Sequence, residues 1–376
     1  MISAQSKTAA KIKTETSRMM IMAGGTGGHV MPALAVAKEL MRQGVEVSWI
    51  GTRQGLEARL VTEANITFNA IDIKGLRNSG VARKILMPFM LARAIAQTLR
   101  VILKRKPKAI LAMGGFVSGP GGLAAAALRL PIVLHEQNSV AGLTNRWLSR
   151  FSHRILTGFP SADGFRQFQW IGNPVRPEIS NIPDPKIRLA SRKQPLRLLI
   201  VGGSQGAEVF NRQLPKLFAT NPIPDVDIWH QSGTGGRNGI GAAYLQAGLG
   251  CQVNEFIDDM PAAYAWCDIV ICRSGAMTVS EVCCAGAVAI FVPYPHAVND
   301  HQAKNAAYLV GNNAAYMVLE EQFVQGHWLK ILTRFDRDRK LLVAMASAAR
   351  KLAKPHATQD LARVCMEAMR MEAMHA

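Results

Sequence analysis

One local pattern occurs twice in the chain, and it restricts the fold more than any other feature. Residues 21-IMAGGTGGHVMP-32 and 200-IVGGSQGAEVFN-211 each join an apolar run, a glycine-rich turn and the start of a helical stretch. This order is typical of the first strand, turn and helix of a doubly wound α/β domain. With 376 residues, the chain is long enough for two such domains.

Strand patterns alternate with helical patterns on both sides of a proline-rich interruption, 172-GNPVRPEISNIPDP-185, which predicts a linker. The predicted strands lie within residues 19–25, 45–52, 107–115, 131–138, 196–207, 226–233, 268–275 and 287–295. The sequence therefore predicts an α/β fold of two tandem doubly wound domains. The expected divisions are a flexible leader 1–17, an N-terminal domain 18–176, a C-terminal domain 177–353 and a final helix within 354–376.

Three glycine-rich loops, at 24–28, 114–122 and 202–207, are predicted to follow strands. Such loops expose backbone N–H groups at helix N-termini, where phosphates bind, although each is also compatible with a tight turn that holds nothing. The first loop lacks the G-x-G-x-x-G spacing, and the second strand ends in Gly51-Thr52 rather than an acidic residue, which disfavours a nicotinamide enzyme. A helix is predicted over 30–44, with Pro32 in its first turn.

His29 follows the first glycine loop and is a candidate general base. It is predicted to lie at the C-terminal end of a strand, where open α/β sheets place their sites. A helix N-terminus disfavours the imidazolium form, so His29 would be neutral and able to accept a proton. The alternative is a histidine that only caps the helix.

The net charge of +18 indicates an anionic partner. Residues 74–108 hold ten basic and no acidic residues around the apolar run 85-ILMPFML-91, a pattern expected of a surface that lies on anionic lipid. The predicted membrane patch consists of Arg83, Lys84, Ile85, Leu86 and Phe89. In the alternative, the apolar members pack inward as helix core. Nucleic acid is not expected, because the sequence has no zinc finger, RRM or KH motif.

Targeting segments and metal sites are not expected. The first 17 residues lack a signal-peptide pattern, and no unbroken apolar run approaches the ~18 residues that span a bilayer. Six cysteines without zinc spacing are interpreted as buried residues of a reducing compartment. Two Asp-x-Asp pairs, 225–227 and 336–338, adjoin no glycine loop, so we expect neither a metal nor another cofactor.

Taken together, several motifs resemble the MurG family, the UDP-N-acetylglucosamine transferases of bacterial peptidoglycan synthesis. The resemblance runs in order from about Arg18 to the C-terminus. The motifs are 24-GGTGGHVMPALAVA-37, 114-GGFVSGPGG-122, 134-LHEQNSVAGLTN-145, 172-GNPVR-176, 202-GGSQGA-207, 256-FIDDM-260 and 273-RSGAMTVSE-281.

The resemblance implies a GT-B fold: two Rossmann-like domains with a cleft between them, the donor in the C-terminal domain and the lipid acceptor at the N-terminal one. The implied reaction inverts the anomeric centre and moves GlcNAc from UDP-GlcNAc to the 4-hydroxyl of MurNAc-pentapeptide on undecaprenyl pyrophosphate, turning lipid I into lipid II. The implied place is the cytoplasmic face of the cell membrane. Other cell-wall synthesis proteins are further implied partners. The implied donor contacts are Thr26, Gly27, Gly28, Asn138, Arg176, Ser204, Ile257, Ala276, Met277, Thr278, Val279, Ser280, Glu281 and Gln302.

The residues suit this chemistry. His29 is the first candidate for the base that activates the acceptor hydroxyl, and Glu136 and His135 are the second choices. Glu281 can accept two ribose hydroxyls, although a glutamate there is also an ordinary partner of the helix dipole. Ile257 would contribute backbone atoms to uracil, because its side chain cannot hydrogen-bond.

Two other functions remain open from the sequence. One is a different GT-B enzyme of UDP-GlcNAc, such as a hydrolysing 2-epimerase, which would need further carboxylates in the cleft and no lipid-facing patch. The other is a non-catalytic, membrane-docked binder of nucleotide sugar in a cell-wall scaffold.

Overall fold

The protein is described by a computed structural model, which covers residues 17–73, 81–190, 192–203, 206–221, 223–234 and 236–375. Within it, the chain forms two parallel sheets, one in each half. The predicted leader lies outside the described residues except for Ser17.

The first sheet has seven strands in the order β3-β2-β1-β4-β5-β6-β7, all parallel. Its strands are β1 Arg18–Met22, β2 Glu46–Gly51, β3 Thr67–Ala70, β4 Ala109–Ala112, β5 Ile132–Glu136, β6 Arg154–Thr157 and β7 Gln169–Trp170. The accompanying helices are α1 Gly27–Arg42, α2 Leu56–Glu63, α3 Val81–Arg105, α4 Ser118–Ala127 and α5 Leu143–Leu148. The central strand β1 is apolar on both faces, because helices cover both sides of the sheet.

The second sheet has six parallel strands in the order β10-β9-β8-β11-β12-β13. Two short helices precede it, α6 Pro177–Ser180 and α7 Pro185–Arg188. Its strands are β8 Leu196–Val201, β9 Val226–Gln231, β10 Cys251–Asn254, β11 Ile269–Cys272, β12 Val288–Phe291 and β13 Ala315–Met317. Its helices are α8 Glu208–Thr220, α9 Arg237–Gln246, α10 Met260–Trp266, α11 Ala276–Ala285, α12 His301–Val310, α13 Glu320–Gln325, α14 Lys330–Arg337 and α15 Arg339–Lys351.

The last helix, α16 Ala357–His375, returns to the first half of the chain. Its apolar residues recur three or four positions apart and join the core beneath α1 and β1; they are Leu361, Val364, Cys365, Ala368 and Met369. This packing ties the end of the chain to the N-terminal sheet.

The predicted α/β fold class is confirmed, and each predicted strand overlaps an observed one. One detail of the helix prediction was wrong, and the predicted linker holds more regular structure than expected. Helix α1 begins at Gly27, so Pro32 lies in its second turn and His29 is its third residue. The proline-rich interruption is partly helical, since α6 lies within it and α7 begins at its last residue. The division at residue 176 stays a prediction.

Candidate active site

The two sheets each have one place where the strand order reverses, between β1 and β4 in the first and between β8 and β11 in the second. Open α/β sheets bind ligands in the crevice at such a point, beyond the C-terminal ends of the strands. The predicted glycine loops follow β1, β4 and β8. Cα atoms of α1 and α11 come within 8 Å of each other, so the two crevices adjoin.

The first two glycine loops hold each other by backbone packing. A Cβ on Gly115 would lie 2.2 Å from the carbonyl oxygen of Gly24, and Gly115 has a φ of +80°. The Ser118 hydroxyl donates to the carbonyls of Met22 (3.0 Å) and Gly114 (2.8 Å). Only glycine at position 115 permits this approach, and the floor of the crevice is thereby fixed.

Glu57 was not predicted from the sequence, because its carboxylate approaches the first loop only through the fold. It is buried and accepts hydrogen bonds from the Thr52 N–H and hydroxyl, both at 2.9 Å, and from the Gly25 N–H at 3.4 Å. A buried carboxylate with several donors orders the backbone around it. Glu57 therefore supports the loop from behind.

His29 is half-buried, and its ring lies against the backbone of Gly114, where an added Cβ would be 3.1 Å from ring atoms. Its Nδ1 lies 2.7 Å from Oε1 of Gln137. Just before it, Thr26 caps α1 with its carbonyl, and its exposed hydroxyl makes no cap bond. The N–H groups of Gly27 and Gly28 have no acceptor within the helix. The structure thus brings these four predicted residues together.

Glu136 is buried, and its carboxylate is fully engaged. One oxygen accepts from the Asn138 N–H (3.0 Å) and side-chain amide (3.1 Å), and the other from the Gly142 N–H (3.0 Å) and the Asn145 amide (2.8 Å). This geometry does not support Glu136 as a base, because four donors already occupy its lone pairs. It orders the segment from 138 to 145 instead.

His135, the other second choice, is fully buried. Its Nε2 lies 2.9 Å from the carbonyl of Gly172, and its Nδ1 lies 3.1 Å from Nε2 of Gln137. Burial lowers the pKa of His135 to about 4. A neutral, enclosed imidazole of this kind cannot meet a substrate directly.

In the second crevice, helix α11 starts at Ala276 directly after Gly275. The N–H groups of Ala276, Met277 and Thr278 have no acceptor within the helix, since the first helical bond is from Val279 N to Gly275 O. The N-terminus of a helix of this length attracts an anion. These three residues therefore suit a donor diphosphate or sugar.

Two residues of the same predicted run have side chains that contact other parts of the protein. Val279 is buried in the core. The Ser280 hydroxyl donates to the Ala276 carbonyl at 3.0 Å and accepts from the Asn173 amide at 2.9 Å. The side chains of Val279 and Ser280 therefore already have partners within the protein.

Glu281 is on the same helix, with its side chain 18% exposed. It accepts a hydrogen bond from the Tyr264 hydroxyl at 3.2 Å, and its other oxygen lies 3.8 Å from the Arg176 guanidinium. Burial raises the pKa of Glu281 above its usual value, against the opposing effect of Arg176. Arg176, just before α6, and Glu281, on α11, thus lie next to each other although they are far apart in the sequence.

The remaining predicted contacts have different environments. Ile257 is a buried core residue in the loop after β10, so only its backbone can meet a ligand. Gln302 is half-buried, and its Oε1 accepts from the Tyr294 N–H at 2.9 Å. Ser204 lies outside the described residues.

Two buried asparagines connect the halves of the chain, and neither was predicted. Asn305 of α12 accepts from the Ser139 N–H and hydroxyl, both at 2.9 Å, and donates to Asn138 Oδ1 at 3.3 Å. Asn173 donates to the Gln137 carbonyl at 3.0 Å as well as to Ser280. The side-chain amide of Asn138 is therefore already occupied by Glu136 and Asn305.

The predicted membrane patch lies on α3. Phe89 is 75% exposed and Leu86 is also exposed, so these two side chains are not helix core. The side chains of Arg83, Lys84 and Ile85 lie outside the described part of the structure. The segment Leu86–Arg105 has the length and hydropathy to cross a membrane, but its other face packs into the first domain through Ile102.

A second exposed apolar group lies on and just after α5, which packs against α4, the neighbour of α3. It consists of Leu143, Trp147 and Phe151, spaced four residues apart, with Arg146 and Arg150 exposed beside them. The signal that could have revealed it is the absence of acidic residues from 139 to 162.

Among the residues described, no three His, Cys, Asp or Glu side chains form a group that could hold a metal ion. The two Asp-x-Asp pairs lie away from the glycine loops. Asp225 and Asp227 are exposed at and just before β9, and Asp338 caps α15 by accepting from the Leu341 N–H.

Comparison with known proteins assigns the two sheets to known domains. The chain matches the glycosyltransferase family 28 N-terminal domain over residues 19–157 and the C-terminal domain over residues 197–361. It is 46% identical, over 93% of its length and 97% of the relative's, to the UDP-N-acetylglucosamine–N-acetylmuramyl-(pentapeptide) pyrophosphoryl-undecaprenol N-acetylglucosamine transferase of Marinobacter nauticus. The protein of the same name from Pseudoalteromonas translucida is 45% identical, with coverages of 93% and 98%.

Solved structures agree with this comparison. Acinetobacter baumannii MurG superposes with a TM-score of 0.82 and 40% identity over 93% of this chain and 99% of that one. The kitacinnamycin glycosyltransferase, at 16% identity and a TM-score of 0.69 over 94% of this chain and all of that one, shares the fold alone.

Proposed function

This chain belongs to glycosyltransferase family 28, and on that premise we propose that it transfers GlcNAc from UDP-GlcNAc to the 4-hydroxyl of undecaprenyl-pyrophosphoryl-MurNAc-pentapeptide. It is an inverting hexosyltransferase that converts lipid I to lipid II in peptidoglycan synthesis. The observation that carries this function is the 46% identity, across nearly the full length of both chains, with a transferase of that name.

His29 is the base in this proposal. An inverting transfer is one displacement: the acceptor oxygen bonds to the anomeric carbon, the bond to the UDP oxygen breaks, and the acceptor proton passes to a base. His29 is the half-buried titratable group at the first crevice, beside exposed N–H groups and the Thr26 hydroxyl. The occupied carboxylate of Glu136 and the burial of His135 argue against either residue in this role.

The leaving diphosphate is met by backbone dipoles and one fixed charge. The N-terminus of α11 offers three N–H groups, and the start of α8, after the 202–207 loop, is a second helix N-terminus. The fixed charge is Arg176, whose guanidinium lies 3.8 Å from Glu281 of α11. In this arrangement Glu281 accepts hydrogen bonds from the ribose hydroxyls, and the backbone of Ile257 hydrogen-bonds to uracil. Gln302 contributes its side-chain amide N–H groups, while Asn138, Val279 and Ser280 act by holding the crevices together.

The enzyme docks on the cytoplasmic face of the membrane through α3. Exposed Phe89 and Leu86 lie in the basic segment 74–108, and the apolar side chains of Leu143, Trp147 and Phe151 continue the surface by way of α5. Each lysine or arginine near anionic lipid contributes ~1 kcal/mol, so a few suffice for reversible docking. The lipid-linked acceptor is thereby within reach.

The test of the reaction is transfer of labelled GlcNAc to a short-chain lipid I analogue. His29→Ala should lower transfer by roughly 10²-fold or more while UDP-GlcNAc binding is kept. The matched control is His356→Ala, an exposed histidine just before α16, which should transfer normally. No transfer by the intact chain, with donor still bound, would contradict the proposed function and favour an epimerase or a non-catalytic binder.

Membrane docking has a separate test with anionic vesicles. Phe89→Asp should weaken vesicle binding, because it places a charge where an apolar ring enters the lipid. Leu245→Asp is the control, since Leu245 is also 75% exposed but lies on α9 of the second domain. Equal vesicle binding by both variants, together with tight RNA binding by the intact chain, would contradict the membrane surface.

A further inference from the structure

Behind His29, a row of hydrogen-bonding groups leads into the protein interior. His29 Nδ1 lies 2.7 Å from Gln137 Oε1, Gln137 Nε2 lies 3.1 Å from His135 Nδ1, and His135 Nε2 lies 2.9 Å from the carbonyl oxygen of Gly172. Gln137 and His135 are buried. Because both side chains are buried, neither can contact a substrate, and their hydrogen bonds must serve a different purpose.

The direction of each hydrogen bond follows from its fixed end. The Gly172 carbonyl can only accept, so His135 must carry its proton on Nε2. Because burial lowers the pKa of His135 to about 4, this imidazole is neutral at pH 7 and its Nδ1 is a lone pair. Gln137 therefore donates from Nε2 to His135.

The amide of Gln137 then has its oxygen towards His29. A carbonyl oxygen accepts, so His29 must donate from Nδ1–H. The opposite amide orientation would require a proton on both nitrogens of His135, that is, a cation in a fully buried position without a carboxylate partner in the row. The hydrogen-bond pattern thus has one consistent solution.

We propose that Gln137 is a positioning residue that holds neutral His29 in the Nδ1–H tautomer and leaves the lone pair on Nε2 for the acceptor proton. The inference rests on the proposed function in taking His29 as the base. No described residue hydrogen-bonds to Nε2 of His29. A neutral histidine in the other tautomer would present N–H where the reaction needs a lone pair.

The same contact serves the reaction after proton transfer. The acceptor O–H bond breaks as Nε2–H forms, and His29 becomes an imidazolium whose Nδ1–H still has the Gln137 oxygen to donate to. Gln137 itself neither gains nor loses a proton. The backbone of Gln137 is in turn held by Asn173, which also donates to Ser280 of the second domain, so the base is fixed relative to both crevices.

Two substitutions separate positioning from mere packing. Gln137→Met roughly keeps the volume but removes the hydrogen bond to His29 and those to the ring and carbonyl of His135, so kcat should fall roughly 10²-fold with little change in the KM for UDP-GlcNAc. Gln137→Glu keeps an acceptor for Nδ1–H. It should therefore transfer at least ~10-fold faster than Gln137→Met, and the acidic limb of its pH–rate profile should move to higher pH, because a carboxylate raises the pKa of His29.

A purely structural role predicts the reverse order. Gln137→Glu buries a charge beside His135, so it would be at least as impaired as Gln137→Met, and the acidic limb would not move. That result would overturn the proposal. Thermal unfolding of both variants identifies any loss of activity that comes from failure to fold.

The tautomer can also be measured without turnover. In the intact protein with ¹⁵N-labelled histidine, the His29 signals are those lost in His29→Ala, and their nitrogen shifts distinguish a protonated from an unprotonated ring nitrogen. We expect Nδ1–H in the intact protein and a mixture in Gln137→Met. Nε2–H in the intact protein would refute the inference even if transfer occurs, whereas absence of transfer with Nδ1–H present would contradict only the proposed function.

Discussion

The two glycine loops, 24–28 and 202–207, begin from the same pattern but end in different environments. When 21–32 is aligned with 200–211, His29 corresponds to Glu208. His29 is packed against Gly114 and lies 2.7 Å from Gln137. Glu208 is 78% exposed and accepts from Arg212, four residues along its own helix. The loop pattern itself therefore does not specify chemistry at this position.

The difference arises from the neighbouring strands. In the first domain the loops after β4 and β5 bring Gly114 and Gln137 to the helix start. In the second, Gln231 at the end of β9 donates to the Gly203 carbonyl at 2.8 Å and so supports the loop rather than a side chain. In the first domain the neighbouring loops thus hold the histidine side chain, and in the second the neighbouring strand holds the backbone at Gly203.

The largest effect should come from the glycines, and it would sharpen the comparison. Gly115→Ala and Gly203→Ala both force a side chain into the left-handed region, with φ of +80° and +85°, at ~1–2 kcal/mol each. Gly115→Ala also places the new Cβ 2.2 Å from the Gly24 carbonyl oxygen. The new Cβ of Gly203→Ala has no described atom within 4 Å. Overpacking costs a further ~1–3 kcal/mol.

Chemical denaturation with a domain-resolved probe measures this difference. The Gly115 variant should be less stable by ~2–5 kcal/mol and the Gly203 variant by ~1–2 kcal/mol. Similar losses in the two variants would mean that the first loop can move away from its neighbour, and the rigid crevice floor would then be wrong.

The sequence predicted the buried strands of both sheets but not the short, partly exposed ones. Long apolar strands beside glycine loops were predicted, because burial on both faces and a sharp turn leave a strong local pattern. Strands β3, β6, β7, β10 and β13 were missed, since they are short and most of their residues are partly exposed. Strands β4, β11 and β12 are also only four residues long, but they are fully buried and so leave an unbroken apolar run.

The site shows the same limit. Thr26, His29 and Glu281 have a recognisable motif around them: the position of His29 after the glycine loop indicated a base, and the resemblance implied the donor contacts of Thr26 and Glu281. Asn173, Asn305 and Glu57 act through contacts between segments 32 to 167 residues apart. No local pattern carries such information, because the fold alone brings those segments together.

A smaller effect is expected from the two helix glutamates, and it could break the comparison. Glu281→Gln removes a charged acceptor from the second crevice, so UDP-GlcNAc affinity measured by calorimetry should fall ~10- to 100-fold, as for loss of hydrogen bonds to a charged group. Glu208→Gln alters only an exposed pair and should leave affinity unchanged. Because burial raises the pKa of Glu281, donor binding to the intact chain should also weaken as pH falls, starting above the pH at which an ordinary glutamate protonates. Equal affinities for both variants would contradict a ribose contact.

The smallest effect concerns the buried histidines, one in each domain. Burial lowers the pKa of both His135 and His230 to about 4. His230 has Asn211 and Tyr244 on its two nitrogens, both at 3.1 Å. Between pH 6.5 and 4 the unfolded chain binds a proton at each histidine that the folded chain does not, so stability falls as pH falls through this window.

From pH 7 to 5.5 the loss should be about 1 kcal/mol for each domain, since one pKa unit corresponds to ~1.4 kcal/mol. His230→Gln should reduce the acid sensitivity of the second domain alone, as measured by the shift of its urea midpoint between the two pH values. The first domain, with His135 intact, is the internal control. If the second domain remained equally acid-sensitive in the variant, His230 would not be held neutral, and the buried histidines of the two domains would differ in charge as His29 and Glu208 differ in environment.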